Sequence, residues 1–391
     1  MMRQKHLTTF QTVVSNIRLG ICLVFLIGFL EGCGENSGEI WQSVGNTAVS
    51  AGATVDESLI FYKRKLYLAY QDGEKGNRVT VREFDGHSWV SVGPEGFSPT
   101  GITTFVSLSV DPDDGTLYVA YVLSQLSVIR GSQDPPTTSL SSRIFVQKYN
   151  GKEWVTVGGK AIGEGGSPSL AVGKGVPYVS YIVDQTKIVC SKYNGRSWVR
   201  LGNVPIEGKP FTWGGLCVDQ ATGHVFMGFL DNKTNRIIVA GFDGKNWGAV
   251  GDTGVMGAAN GSLWLDQSGI YLAYQDTMLG KKAGVMRYDG VSWKPVGKIG
   301  FSGGGIDTMS FLIDRGVPYA AFRDVDHTGR VTVMRYRDGD WHVVGTRGFS
   351  QGPAGYESLA LDPVNHTLFL AFNDVANGKK AAVMGCSLPR P

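Results

Sequence analysis

Short segments with apolar side chains at alternate positions recur along the chain from residue 40 to its end, and each reads as a half-buried strand. One of them returns seven times as Trp-x-x-(Val/Leu)-Gly, beginning at Trp41, Trp89, Trp154, Trp198, Trp247, Trp293 and Trp341. A second reads Ser-Leu-x-(Val/Leu)-Asp, as in Ser107 to Asp111, Ser262 to Asp266 and Ser358 to Asp362. A third reads Tyr-(Val/Leu)-Ala-Tyr, as in Tyr67 to Tyr70, Tyr118 to Tyr121 and Tyr271 to Tyr274. A fourth, Val-Met-Arg-Tyr at Val285 to Tyr288 and Val333 to Tyr336, commonly runs into a (Tyr/Phe)-(Asp/Asn)-Gly turn just before the Trp strand.

Successive Trp strands are mostly 44 to 49 residues apart, with one interval of 65. Four short strands per repeat make one twisted antiparallel sheet, which cannot bury both faces by itself. Packing such sheets radially does so, which predicts a β-propeller rather than a solenoid. The strands are named A to D in the order Ser, Tyr, Val-Met and Trp. The first repeat supplies only a strand D, at Trp41, and the last supplies A, B and C and stops soon after Val383. The two fragments complement each other. The expected fold is therefore all-β, a seven-bladed propeller over residues 40 to 391, in which Trp41 to Gly45 completes the last blade beside Ala381 to Cys386.

The motifs Tyr-Asp-Gly-x-x-Trp-x-x-Val-Gly and Gly-Phe-Ser-x-Gly resemble those of kelch and galactose-oxidase-like propellers, and more closely those of secreted bacterial propellers. This resemblance spans about residues 40 to 391 and implies the fold and export. It implies no single activity, because propellers host unrelated functions.

The first 33 residues depart from the pattern. Arg3, Lys5 and Arg18 precede an apolar run from Ile21 to Leu30, which reads as a secretory signal and is too short to span a bilayer. Leu30-Glu31-Gly32-Cys33 resembles a bacterial lipobox, with Glu31 where that pattern has a small or apolar residue. The resemblance implies cleavage before Cys33 and a lipid on its thiol. The expected organisation is a signal peptide over residues 1 to 32, a short tether over 33 to 39 and the propeller over 40 to 391, in a membrane-anchored lipoprotein of the cell envelope or surface. An ordinary signal peptide cut nearby is the alternative and gives a secreted protein.

Composition agrees with many short strands and tight turns: 55 glycines, 18 Phe, 15 Tyr and 9 Trp. Charge is nearly balanced, 37 basic against 34 acidic residues, and no basic run alternates with aromatics, so no nucleic-acid partner is expected. Cys190, Cys217 and Cys386 are too few and too widely spaced for a disulfide framework or a metal site and are expected as small buried residues. The molecule is expected to be a monomer without cofactor or metal.

Antiparallel succession puts the A–B and C–D connections on one face of the ring and the B–C and D–A connections on the other. The second face receives the Gly-Phe-Ser segments and an insertion of about seventeen residues between Val122 and Arg143, which includes Gln133 to Ser142. It also receives an aspartate just beyond strand B in six blades: Asp72, Asp184, Asp231, Asp276, Asp324 and Asp374. These six form either a ligand-binding carboxylate ring or a set of turn caps.

A ligand needs asymmetry, so residues that break the repeat are the candidates for a site. Two positions before the strand A Ser stand Asp56, Phe105, Ser167, Trp213, Asn260, Thr308 and Tyr356, close to the expected central channel. Phe105, Trp213 and Tyr356 offer stacking surfaces, and Asp56, Asn260 and Thr308 offer hydrogen bonds. Packing at the channel rim is the other reading. Asp56, Glu57 and Glu357 are the carboxylates that ring closure would bring together, because blades 1 and 7 are neighbours. No nucleophile elbow, zinc-binding helix or phosphate loop is present. The function expected is a non-catalytic module that binds a surface glycan, peptide or protein. The alternative is an extracellular carbohydrate-active hydrolase or lyase that uses the carboxylates at the channel mouth.

Overall fold

A computed structural model describes residues 38 to 129, 137 to 202, 206 to 210 and 215 to 389. Cys33 and Trp213 lie outside the described residues, as do the signal and most of the tether. The rest is a seven-bladed β-propeller of antiparallel sheets. Blade 1 shows the plan from the channel outward: strand A Thr54–Tyr62, B Lys65–Asp72, C Arg78–Phe84 and D Trp89–Ser91. Blade 7 is made from both ends of the chain. Its strands Ala354–Asp362, Thr367–Asp374 and Lys380–Ser387 are completed by Gln42–Ser43, paired Gln42 to Gly385 and Ser43 to Met384.

The Trp-x-x-(Val/Leu)-Gly motif holds neighbouring blades together. In all seven copies the indole N–H donates to the carbonyl of the Val or Leu that ends the motif in the preceding blade, at 2.6 to 3.0 Å. The glycine after that Val or Leu has φ between 63° and 79° in every copy. A β-carbon there would also lie 2.9 to 3.4 Å from the incoming indole ring. Both the backbone angle and the close approach favour glycine over a residue with a side chain.

Gly-Phe-Ser serves the same junction. Phe97, Phe301 and Phe349 stack on Trp154, Trp341 and Trp41 of the following blade, with ring centroids 4.5, 3.8 and 4.6 Å apart. The serines Ser98, Ser302 and Ser350 accept the amides of the second strand C residues, Val79, Ala283 and Val331. The motif on the candidate face is thus structural. Among the described residues the core is divided into seven apolar clusters, each between neighbouring blades.

Closure draws on the tether as well. Buried Glu39 forms an ion pair with buried Arg335 of blade 6, and the Trp41 indole donates to Val344 of the same blade. The N-terminal segment therefore locks blade 6 to blade 7.

Two expectations change. Strand A starts earlier than its Ser-Leu signal, at Thr54, Ile102, Ala258 and Ala354, for example, because a β-bulge breaks the alternation there. The described part of the insertion in blade 2 continues strands B and C, Leu117–Ile129 and Thr137–Tyr149, paired out to Ile129 and Thr137, and residues 130 to 136, with Gln133 among them, lie outside the described residues. Near the limit of the described side chains in that hairpin, Leu126 opposes Leu140 and both are exposed.

Cys190 and Cys386 are buried and Cys217 is half-buried, all as free thiols. Burial pushes the Cys217 and Cys386 thiols up to about 12, which keeps them uncharged and poorly nucleophilic.

Trp41→Ala removes a stacked, hydrogen-bonded ring from the closing blade. It is expected to destabilise the protein by about 3–5 kcal/mol, read as a lower midpoint in urea or thermal denaturation. Unchanged unfolding would contradict closure through the N-terminus.

Candidate functional site

Six of the seven candidate positions, all but Trp213, lie at the irregular start of strand A. In blade 1, Asp56 and Glu57 together oppose Tyr70 alone, and in blade 7, Tyr356 and Glu357 oppose Phe372. Asp56, Phe105, Ser167, Asn260 and Tyr356 all have positive φ, between 48° and 61°. Left-handed backbone at non-glycine residues costs on the order of 1–3 kcal/mol each and persists only where surrounding bonds hold it. Thr308 lies in the corresponding irregularity of blade 6.

Those bonds run from blade to blade around the mouth. The Asp56 carboxylate accepts the Phe105 N–H at 2.6 Å. The Asn260 amide donates to the Asp307 carbonyl, and the Thr308 hydroxyl donates to Glu357 Oε2. A parallel set comes from the residue before the strand B aspartate, where Gln71, Gln275 and Asn373 donate to carbonyls of Thr103, Ile306 and Thr54 in the next blade. Asp56 and Asn260 therefore serve as inter-blade clamps, and Phe105 packs on the cluster between blades 2 and 3. The Gln/Asn clamp escaped the sequence reading, although the recurrence of Gln71, Gln275 and Asn373 at one repeat position is a signal for it.

The six aspartates lie at the end of strand B or just beyond it, and they are mostly turn caps. Asp72, Asp231, Asp276 and Asp374 accept N–H groups of their own B–C turns, at 2.9 to 3.1 Å. Asp324 instead binds Thr332 and Arg347, each at 2.9 Å, and exposed Asp184 pairs with Lys187.

What breaks the symmetry is the seam between blades 7 and 1. Ring closure brings Asp56, Glu57, Tyr356 and Glu357 together there, and all but Asp56 line a central cavity of about 670 Å³, which Asn260 and Thr308 also line. Glu57 and Glu357 are only 4% and 8% exposed. Thr54 donates to Glu57 Oε1, as Thr308 does to Glu357 Oε2, and the remaining oxygens, Glu57 Oε2 and Glu357 Oε1, have no partner.

Burial disfavours the carboxylate form at all three acids. It raises Asp56 to about 6 against the Phe105 hydrogen bond, which acts the other way. It raises Glu57 to about 8, with the charges of Asp56 and Glu357 adding to the effect and the Thr54 bond opposing it. Glu357 is raised by burial and partly relieved by its Thr308 bond and by Arg323, which itself pairs with Asp307 at 3.1 Å. Burial and the same two carboxylates, Asp56 and Glu57, raise the Tyr356 hydroxyl. Burial thus favours the protonated form of each acid at the seam, and Glu57, raised furthest of the printed values, holds its proton near neutrality.

No family model matches the chain, and neither does any curated protein. Solved structures do resemble it. A protein of unknown function from Dyadobacter fermentans DSM 18053 is 13% identical, with a TM-score of 0.54 over 89% of this chain and 99% of that one. Trypanosoma rangeli sialidase in complex with the inhibitor DANA is 12% identical (TM-score 0.46; 90% of this chain, 58% of the sialidase), and the SapL1 lectin in complex with alpha methyl fucoside is 16% identical (0.49; 76% and 97%). At these identities the likeness concerns the fold alone.

Glu57 keeps its proton longer folded than unfolded. Its contribution to stability is therefore complete below its ordinary value of 4.5 and is lost as pH rises through about 8. Glu57→Gln is expected to flatten the decline and to be more stable than wild type above that range, by an amount on the order of a few kcal/mol. Denaturation midpoints measured from acidic to mildly alkaline pH check this, and parallel curves for the two proteins would refute it.

Proposed function

We propose that the chain is an exported, lipid-anchored binding module, and that its propeller holds a surface glycan, peptide or protein on the face built by the B–C and D–A connections. The observation that carries this reading is the seam at the channel mouth. There the residues that break the repeat, Glu57, Tyr356 and Glu357, converge on a cavity whose volume falls within the roughly 300–1,000 Å³ of ligand sites. The other repeated polar residues of this face are largely absorbed by blade junctions and turns. Export and anchoring rest on the apolar run from Ile21 to Leu30 followed by Gly32-Cys33.

The same seam favours a second reading, an extracellular carbohydrate-active enzyme, because it gathers three carboxyl groups of differing proton affinity. Binding and product analysis on a glycan and peptide array distinguish the two. Wild type is expected to bind without turnover, and Tyr356→Ala is expected to weaken binding by about tenfold or more. Product formation that Glu357→Gln abolishes would establish the enzyme instead.

Anchoring has its own test. Cys33→Ala is expected to lose lipid labelling and to leave the membrane fraction, and persistent attachment of that variant would refute the lipid tether.

A further inference from the structure

Seven tryptophans spend their indole N–H on a carbonyl of the preceding blade, but Trp264 does not. It stands in strand A of blade 5, Ala258–Asp266, at a position where the other blades carry Ile60, Ser109, Ala171, Cys217, Leu312 and Ala360. The residue is 36% exposed and lines the central cavity, and its indole N–H makes no hydrogen bond among the described residues. Strand A is the innermost strand, so the exposed face of the ring opens on the channel. Trp264 follows Asn260 by four residues, roughly 13 Å along the strand, which places it inside the channel and beyond its mouth. An indole left in water is stabilised by any ligand that covers it with an apolar face.

Polar groups near this ring are also unspent. Strand A is the edge of every sheet, so the N–H and C=O groups on its channel side have no strand to pair with. Serines meet part of that need: Ser58, Ser107, Ser310 and Ser358 accept the strand A amides of Leu108, Leu170, Leu359 and Leu59 in the following blade. This ladder serves blades 7, 1, 2 and 3 and is missing over blades 4, 5 and 6. Blade 4 has Gly215 at the serine position, and Ser169 and Ser262 make no such bond. The amides of Leu216, Leu263 and Phe311 therefore receive no serine. All three residues line the cavity, and Trp264 stands at the middle of their arc.

Charge narrows the ligand further. Among the described residues the cavity is lined by no lysine, arginine or histidine, and its acids are Glu57, Asp314 and Glu357. A carboxylate or phosphate on the ligand would find no counter-charge there. A flat aromatic ligand would cover the indole but leave the strand A amides and the Ser262 hydroxyl desolvated and unbonded. A pyranose meets both needs, because its C–H face stacks on an indole while the hydroxyls around its rim donate and accept. We infer that the cavity takes a neutral sugar, with one pyranose seated on Trp264 and its hydroxyls bonded to the strand A edges of blades 4 to 6. This assignment rests on the binding function proposed above and names its ligand class and the side chain that carries it.

Titration calorimetry on the full chain tests this with the methyl glycosides of glucose, galactose, mannose and fucose, with N-acetylneuraminic acid as an acidic sugar, and with p-cresol as an aromatic without a hydroxyl rim. At least one neutral glycoside is expected to bind about tenfold or more tightly than the acid or the cresol. Trp264→Ala should lose about tenfold or more of that affinity and Trp264→Phe less. Because Trp264 is exposed and lies outside the apolar clusters, both variants should melt as wild type does. In protein labelled with 5-fluorotryptophan, the resonance that Trp264→Phe removes is expected to shift when the sugar binds, while those of the junction tryptophans stay in place. Binding that Trp264→Ala leaves unchanged overturns the assignment, as does stronger binding of the acid or the cresol than of every neutral glycoside. If an array ligand is weakened by Tyr356→Ala but not by Trp264→Ala, the sugar site fails while the binding module stands. If nothing binds in either experiment, both fail.

Discussion

The ring depends on one contact made seven times, in which a tryptophan indole donates to the carbonyl that ends the preceding blade's outer strand while its ring covers the glycine behind that carbonyl. Each such bond contributes about 1 kcal/mol net. Most of the stabilisation comes instead from the apolar cluster that each pair of blades buries between them. The bond fixes where one sheet sits on the next, so that the clusters close without a gap. An isolated four-stranded sheet has an apolar face it cannot cover, and the only partner each blade has on either side is another blade. Closure is therefore a requirement, and Trp41 with Glu39 and Arg335 meets it at the seventh junction.

That requirement shapes the channel mouth. The inner strands bend there through bulges with left-handed residues, held by side chains from the neighbouring blade. Most of the polar atoms at the mouth are consumed in this way. The seam between blades 7 and 1 differs, because both blades place a glutamate directly after the left-handed residue, whereas blades 2, 3 and 5 place Val106, Pro168 and Gly261 there. Two acids at adjoining positions of a closed ring cannot both be satisfied by the clamps. The result is buried acidity and unpartnered carboxyl oxygen at the seam.

Several elements were readable from the residues because they repeat. The count of blades follows from the seven Trp motifs, the strand order from the four recurring segments, and the completion of the last blade from Trp41 standing without its own A, B and C strands. Other elements were misplaced for a physical reason. Period-two alternation fails at a bulge, so strand A was seen only from its Ser-Leu segment onward. The polar residues Thr137 to Ser142 suggested a loop, yet the backbone continues the ladder of strands B and C. Gly-Phe-Ser lies on the candidate face, but its Phe stacks on the next Trp and its Ser caps a strand.

By itself the sequence determined that this protein is a ring of seven like sheets, because a repeat of one strand pattern with one tryptophan and one glycine leaves each sheet a single way to bury its faces. It also identified Asp56, Glu57 and Glu357 as acids that a closed ring makes neighbours. Only the tertiary structure decided which polar residues are spent on the fold and which are left over. Asp56 and Asn260 clamp the next blade, whereas Glu57 and Glu357 each keep an oxygen without a partner. Hydrogen-bond satisfaction depends on residues some 300 positions apart in the chain, such as Asn373 and Thr54, and no local pattern carries that information.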